Sequence, residues 1–176
     1  MDFVSGIKAP TFSLRSTDDT RLNLSDLAGK HGTVVVFICN HCPYVVSALD
    51  DIKFEAQALQ KEGIEIIAIC SNDPIKYPDD GYDKMQEFAA QNALNFPYLH
   101  DEDQSVARAY DAQCTPDLFG FNSNMELEYR GRLNNRRDVG IALNRELYHA
   151  MMQIKETGKG PVHQIPSIGC SIKWAD

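Results

Sequence analysis

The chain has 176 residues, of which 43% are hydrophobic and 24% are charged, and these proportions are ordinary for a globular protein and argue against disorder. Its formal net charge is −8, with scattered acidic residues and no offsetting basic patch, which excludes a chain built to bind nucleic acid. The segment from Met1 to Lys8 lacks the basic and apolar regions of a secretory signal, and the apolar runs are too short to cross a bilayer. We therefore expect a cytoplasmic protein without a membrane segment.

The first predicted elements are a hairpin and a short helical turn. Thr11–Leu14 and Arg21–Leu24 have the composition of short strands, and the polar turn between them predicts that they pair. Ser25 is a suitable N-cap for a single helical turn that ends at Gly29. The main sheet is therefore expected to be preceded by a β-hairpin extension.

A strand, a helix and a second strand follow. Thr33–Ile38 and Ile64–Ile69 are continuous apolar runs, which are typical of strands buried on both faces of a sheet. Between them, apolar residues recur every three or four positions, the period of an amphipathic helix, and Gly63 ends that helix. The apolar helix positions are Val46, Leu49, Ile52, Ala56 and Leu59. This order predicts a βαβ unit with parallel strands.

The middle of the second half predicts two helices and another hairpin. One helix covers Asp83–Ala93, and a second starts near Asp101, whose side chain is expected to form a capping box with Gln104. Asp117–Asn122 and Glu126–Arg132 flank a polar turn and are expected to pair as antiparallel strands.

The last predicted helix begins at an Asp138 cap and ends at Gly158. Its apolar face is expected to carry Val139, Leu143, Leu147, Ala150 and Ile154. The segment 160–176 contains prolines but also apolar residues, so we expect it to pack on the domain as a C-terminal tail. Because the chain has neither repeats nor linkers, residues 1–176 are expected to form a single domain.

The strongest chemical signal is Cys42, at the junction between a predicted buried strand and a helix. A helix N-terminus offers unpaired N–H groups and the positive end of the helix dipole, both of which stabilise a thiolate. The pKa of Cys42 is therefore expected to lie below its ordinary value of about 8.5, which gives a nucleophilic thiolate at neutral pH. Pro43 suits the first helical position, and His41 could add positive charge or a hydrogen bond.

Three features resemble the thioredoxin-like superfamily. Phe37–Cys42 is similar to the approach to the thioredoxin active site, and Cys42-Pro43 resembles the Cys-Pro of the peroxiredoxins. Thr115-Pro116, just before the predicted hairpin, resembles the cis-proline segment that lies beside the active thiol in these proteins. The resemblance points to the redoxin branch, of the alkyl hydroperoxide reductase/thiol-specific antioxidant type. It implies an α/β thioredoxin fold, a central mixed sheet flanked by helices, with the hairpin extension and the tail.

The active-site segment departs from both family patterns. Val45 stands where thioredoxins carry their second cysteine, and Val36 stands where they bury an acid. Cys39 occupies the place of the peroxiredoxin Thr or Ser, and Thr115-Pro116 the place of the peroxiredoxin arginine. The segment keeps a Cys-x-x-Cys pair, Cys39 and Cys42, that spans the strand end. We interpret the site as a hybrid of the two families.

The five cysteines are an odd number, so they cannot all form structural disulfides. We expect Cys42 to attack an oxidised substrate and a second cysteine to resolve the product. Cys39 is the first candidate for this role, and Cys114 is the second because the Thr-Pro segment should lie beside Cys42. Cys170 is the third, provided that the tail folds back, whereas Cys70 is expected in the core.

The resemblance implies an oxidoreductase that acts on thiols, disulfides or peroxides. The substrate groove is expected to be formed by Thr115, Pro116, Pro43, His41 and Tyr44. No dinucleotide-binding fingerprint follows either buried strand, so no organic cofactor is implied. Electrons would come from a dithiol protein or a small thiol. Neither the substrate nor an oligomeric state follows from these motifs.

Two other interpretations stay open. Cys39, His41, Cys42 and Cys114 could supply a metal with sulfur and nitrogen ligands, but structural zinc sites usually take two separated ligand pairs and only one is apparent. No metal is therefore assigned. The second alternative is a redox-inactive binding module with a thioredoxin fold, against which stands the presence of both the Cys-Pro and the Thr-Pro motif.

Overall fold

The computed structural model describes residues 4–176. The segment from Met1 to Lys8, which we expect not to be a secretory signal, therefore has its first three residues outside the described part. The helices are α1 (Leu24–Leu27), α2 (Pro43–Gln60), α3 (Tyr82–Gln91), α4 (Ser105–Tyr110) and α5 (Glu146–Thr157). The strands are β1 (Ser13–Ser16), β2 (Arg21–Asn23), β3 (Gly32–Phe37), β4 (Ile64–Cys70), β5 (Tyr98–His100), β6 (Cys114–Thr115), β7 (Asp117–Phe121), β8 (Leu127–Tyr129) and β9 (Cys170–Ser171). Within the described residues, no helix has both the length and the apolar character that a bilayer crossing requires.

Seven strands form one mixed sheet in the order β2-β1-β5-β4-β3-β7-β8. β3 runs parallel to β4 and antiparallel to β7, and β4 is in turn parallel to β5. The N-terminal hairpin joins the sheet through β1, which is antiparallel to β5. The predicted βαβ unit, both hairpins and the mixed sheet are thus confirmed.

Side chains along β3 alternate between two apolar layers. Val34 and Val36 pack with the buried faces of α2, α3 and α5, whereas Val35 and Phe37 pack with residues of the N-terminal hairpin and α4. Full burial of a side chain of this size stabilises the fold by about 1.5–3 kcal/mol. Because β3 is covered on both faces, the loop that follows it and carries Cys42 leaves the sheet from a fixed position.

The last helix starts later than predicted. Asp138, Val139 and Leu143 lie in the loop before α5, which begins only at Glu146. Val139 is 97% exposed, and the Asp138 carboxylate binds Arg132 at 2.9 Å instead of capping a helix. The predicted end is confirmed, since Gly158 follows the last helical residue with a φ of 75°.

Two smaller details near other helix starts also differ from the prediction. Ser25 lies inside α1 and is not its N-cap. The residue that precedes the helix is Asn23, whose N–H donates to the Asp26 carboxylate at 3.2 Å. In α2 the buried position is Val45, whereas Val46 is 57% exposed. The other four predicted apolar positions of this helix are buried, so the predicted helical face is confirmed and only Val46 was misassigned.

The cap of α4 works without the predicted partner. The Asp101 carboxylate accepts the N–H groups of Val106 and Ala107 at 3.2 and 2.9 Å, as a cap should. The Gln104 side chain does not form the predicted capping box with Asp101. Its side-chain amide donates to the carbonyl of Lys173 at 2.8 Å and accepts the N–H of Ala175 at 2.9 Å, so it holds the C-terminal tail.

The tail is tied to the sheet end by a second, two-stranded sheet of β6 and β9, neither of which was predicted. In its antiparallel register Thr115 lies opposite Cys170. A side chain at Gly169 would place its Cβ 2.1 Å from the carbonyl oxygen of Thr115, so only glycine permits this approach. Ile172 is buried in the apolar layer under α4. The tail therefore lies directly against the Thr-Pro segment.

Candidate active site

Cys42 is positioned by the end of β3 and the start of α2. It is the residue before Pro43, the first helical residue, and its carbonyl accepts the N–H of Val46 at 2.9 Å. Proline fits this place because the first helical position needs no N–H donor. Cys42 has no exposed surface, and its thiol donates to the carbonyl of Thr115 at 3.3 Å. The strand–helix junction and the Thr-Pro segment therefore meet at this sulfur.

Burial raises the pKa of Cys42, but hydrogen bonds to its sulfur outweigh this effect. The donors are the Cys170 thiol, the Thr115 hydroxyl, and the N–H groups of Val45 and Cys170. Together they lower the pKa of Cys42 from 9.0 to about 7. The Val45 N–H belongs to the first turn of α2, as expected for a thiolate at a helix N-terminus. A large fraction of Cys42 is therefore thiolate at neutral pH.

The thiol that hydrogen-bonds to Cys42 belongs to Cys170. Its pKa is raised, because its proton is held in the bond to Cys42, because it is partly shielded from water, and because the charge on Cys42 disfavours a second thiolate. The pairing of β9 with β6 sets Cys170 opposite Thr115, whose carbonyl oxygen lies 3.3 Å from the Cys42 sulfur. Cys42, which is largely a thiolate at neutral pH, is thus close to Cys170, whose thiol retains its proton.

The other predicted resolving thiols are less favourably placed. The Cys39 sulfur is buried, 3.5 Å from the Thr115 hydroxyl, and burial together with the Asp80 charge raises its pKa to about 12. The Cys114 thiol donates to the carbonyl of Pro116 at 3.5 Å, and burial and Asp117 likewise raise its pKa to about 12. Both stay protonated at neutral pH.

The buried carboxylate of Asp80 lies near Cys39. Asp80 has no exposed surface and accepts hydrogen bonds from the Asn40 N–H at 2.8 Å and the Asn72 amide at 2.9 Å. His41 Nδ1 lies 2.7 Å from the same carboxylate, and its ring stacks on Tyr77. His41 is therefore turned toward Asp80.

These side chains also bear on the metal interpretation. The Cys39 sulfur, a His41 ring nitrogen and an Asp80 oxygen lie within 4.8 Å of one another and are donor types that bind zinc. However, the nitrogen and oxygen are 2.7 Å apart, closer than the roughly 3.3 Å between two ligands of one tetrahedral zinc ion. A direct hydrogen bond describes the His41–Asp80 pair better than a shared metal does.

Replacing Asp80 with Asn is expected to lower the pKa of Cys39, because the carboxylate charge adds to the effect of burial on this thiol. We expect the Cys39 thiolate fraction at pH 9.5 to rise about tenfold, measured from the Cβ chemical shift of isotope-labelled cysteine. Asp79→Asn is the matched control, since Asp79 is exposed. Equal Cys39 titrations in the two variants would contradict this account.

A groove of about 340 Å³ is lined by near neighbours in sequence of Cys42 and Cys170, but neither cysteine is among its lining residues. Of the predicted groove residues, Tyr44 and Pro116 line it, and the Thr115-Pro116 peptide bond is cis, as the resemblance implied. Thr115 is buried, Pro43 starts α2, and His41 is not among the lining residues. The polar part of the wall was not predicted from the sequence, and it includes Arg132, Arg136 and Arg137.

Comparisons with known proteins show which family the chain belongs to. The sequence model of the AhpC/TSA family matches residues 5–130. Peroxiredoxin Bcp of Escherichia coli K12 is 27% identical over 106 residues, which cover 60% of this chain and 63% of Bcp. Thiol-disulfide oxidoreductase ResA of Bacillus subtilis is 29% identical over 119 residues, 66% of this chain and 61% of ResA. The chain thus spans less than two thirds of the length of these relatives.

A solved structure covers almost the whole chain. The crystal structure of an uncharacterized conserved protein from Geobacillus kaustophilus has a TM-score of 0.92 and 39% sequence identity, over 99% of this chain and 94% of that one. The family match and the sheet topology confirm the predicted thioredoxin-like redoxin fold.

Proposed function

Because this chain belongs to the AhpC/TSA family, we propose that it is a thiol-based oxidoreductase in which Cys42 is the nucleophile and Cys170 is the resolving thiol. The observation that carries the proposal is the pairing of β9 with β6, which sets Cys170 opposite Thr115, the residue whose carbonyl oxygen lies 3.3 Å from the Cys42 sulfur. In this setting the pKa of Cys42 falls to about 7 while that of Cys170 rises. One thiol is ready to attack, and the other keeps its proton until an oxidised sulfur is beside it.

With a disulfide as oxidant, the Cys42 thiolate attacks one substrate sulfur, forms a mixed disulfide and releases the other sulfur as a thiolate. Cys170 then loses its proton and attacks the Cys42 sulfur, which forms the Cys42–Cys170 bond and releases the second substrate thiol. The substrate is reduced by two electrons. A dithiol protein or a small thiol returns the pair to two thiols.

With a peroxide as oxidant, the thiolate attacks an oxygen, the O–O bond breaks, and the departing oxygen takes a proton to leave as an alcohol or water. Cys42 becomes a sulfenic acid, and attack by Cys170 forms the same disulfide and releases water. This route needs donors that stabilise charge developing on the peroxide oxygens.

Thr115-Pro116 occupies the place of the peroxiredoxin arginine, and three arginines elsewhere in the chain have other partners. Arg130 binds Asp117 at 3.3 Å, Arg132 binds two carboxylates, and Arg108 lies over the ring of Trp174 at 4.5 Å. We therefore favour disulfide exchange over peroxide reduction. The reducing cytoplasm would supply the thiol donor that either route requires.

The test is a non-reducing peptide map after one equivalent of hydroxyethyl disulfide or, separately, of hydrogen peroxide. We expect the dominant cross-link to join Cys42 to Cys170, because β9 holds Cys170 opposite Thr115, whose carbonyl oxygen contacts the Cys42 sulfur. Cys170→Ser should leave Cys42 as a mixed disulfide or as a sulfenic or sulfinic acid, whereas the control Cys114→Ser should leave the cross-link unchanged. A dominant link from Cys42 to Cys39 or Cys114 would refute Cys170 as the resolving thiol.

One observation favours a different class of function. Cys42 has no exposed surface, which suits a redox-inactive module that binds a partner in the groove. The rate at which Cys42 reacts with a maleimide at pH 7 distinguishes the two functions. An oxidoreductase reacts faster than free cysteine, and an inactive module does not.

A further inference from the structure

The groove that Tyr44 and Pro116 line has charged side chains along one wall. Three arginines line it, and two of them are neutralised within the protein. Arg132 binds two carboxylates at 2.8 and 2.9 Å, and Arg136 binds Asp51 at 2.6 Å. These pairs shape the wall of the groove and leave no charge to recognise a ligand.

Arg137 differs from its two neighbours. It is exposed, and no carboxylate lies within ion-pair distance of it among residues 4–176. Its guanidinium lies over the ring of Tyr44, 4.1 Å from the centroid, and this stacking orients it without neutralising it. An oriented cation therefore stands in the groove of a chain whose net charge is −8.

The rest of the wall relates the groove to the proposed chemistry. Tyr44 is two positions after Cys42, Ile168 is two before Cys170, and Pro116 follows the residue whose carbonyl contacts the Cys42 sulfur. With Leu133 these residues form an apolar surface. A volume of about 340 Å³ is within the usual range for a small molecule and too small for a folded partner.

We propose that this groove binds a small disulfide bearing a carboxylate, with the carboxylate on Arg137 and the apolar body between Tyr44 and Ile168. A guanidinium offers two parallel N–H donors to a carboxylate, and it would counter the repulsion of an anion by the net negative chain. This inference rests on the proposed function. The bound disulfide would react as described above, and the released thiol would carry the carboxylate away.

The test compares an anionic and a neutral aromatic disulfide in stopped-flow single turnovers. The probes are 5,5′-dithiobis(2-nitrobenzoate), with a carboxylate on each half, and 4,4′-dithiodipyridine, which has none. Both release a coloured product, and the phase that belongs to Cys42 is the one that Cys42→Ser lacks. We expect Arg137→Gln to slow the anionic probe about tenfold and Arg137→Glu about a hundredfold, with less than a twofold change for the neutral probe.

The controls separate the possible failures. Arg21→Gln removes an exposed arginine of β2, outside the groove, and should change neither rate, and Arg137→Lys should retain part of the preference for the anionic probe. Equal slowing of both probes in the Arg137 variants would show a structural role and overturn the inference. Fast reactions with both probes that do not depend on Arg137 would overturn it and leave the proposed function standing. If Cys42 reacts with neither probe faster than a free thiol does, the proposed function itself fails.

Discussion

Replacing Cys42 with Ser is expected to reduce the rate of substrate disulfide or peroxide reduction at least about a thousandfold, because a serine hydroxyl is not ionised at neutral pH and cannot replace the thiolate as nucleophile. The wild-type rate should rise with pH and level off around a midpoint of about 7, the pKa of Cys42. Below that midpoint the rate should fall tenfold per pH unit, because only the thiolate attacks.

The measurement is the second-order rate constant for consumption of the oxidant between pH 5 and 9. Cys114→Ser is the matched control, since Cys114 lies in the same Thr-Pro segment but stays protonated over this range. Its pH profile should coincide with that of the wild type. If Cys42→Ser retained more than a tenth of the activity, Cys42 could not be the nucleophile, and a midpoint near 9 would mean that the site does not lower its pKa.

Replacing Gly169 with Ala should displace the tail from the Thr-Pro segment. The new Cβ would lie 2.1 Å from the Thr115 oxygen and 3.1 Å from the Pro116 nitrogen, and both are backbone atoms that cannot turn aside. Overpacking of this kind typically costs roughly 1–3 kcal/mol of stability. Cys42 would then lose the thiol and N–H donors of Cys170, so its pKa should rise toward 9.0.

Two readouts follow from this displacement. The midpoint of the pH–rate profile should move upward, and the yield of the Cys42–Cys170 disulfide should fall at least about fivefold, because the two sulfurs no longer meet. Ser171→Ala, an exposed position of the same strand, is the control and should change neither. A Gly169→Ala variant with the wild-type midpoint and disulfide yield would mean that β9 does not set the properties of Cys42.

The parts of the fold that depend on local patterns were predictable. β3 and β4 are uninterrupted apolar runs because they are covered on both faces, and no other element type fits runs of that length. The position of Cys42 at a strand–helix junction was predictable from the same pattern. The buried strand ends shortly before Pro43 and the helical period begins after it, so Cys42 has to lie between the two elements.

The parts that depend on distant contacts were not predictable. β6 and β9 are two residues each, and their pairing over more than fifty positions leaves no periodic trace, so Cys170 was ranked below Cys39. Asp80 follows another aspartate in a polar segment, and only the folded chain buries it against His41. The region before α5 has helical spacing, but the pairing of Asp138 with Arg132 holds it as a loop.

The second sheet has a consequence for the energetics of turnover. A bond between Cys42 and Cys170 would close a loop of roughly 130 residues, and the chain-entropy model assigns such a closure roughly 5 kcal/mol of stabilisation against unfolding. Folding and disulfide formation are linked in a thermodynamic cycle, so the native fold must favour formation of this disulfide by the same free energy. That corresponds to a shift on the order of 100 mV in its two-electron reduction potential. Oxidised molecules would be harder to unfold than reduced ones, and the electron donor would have to overcome part of the free energy of folding at each turnover.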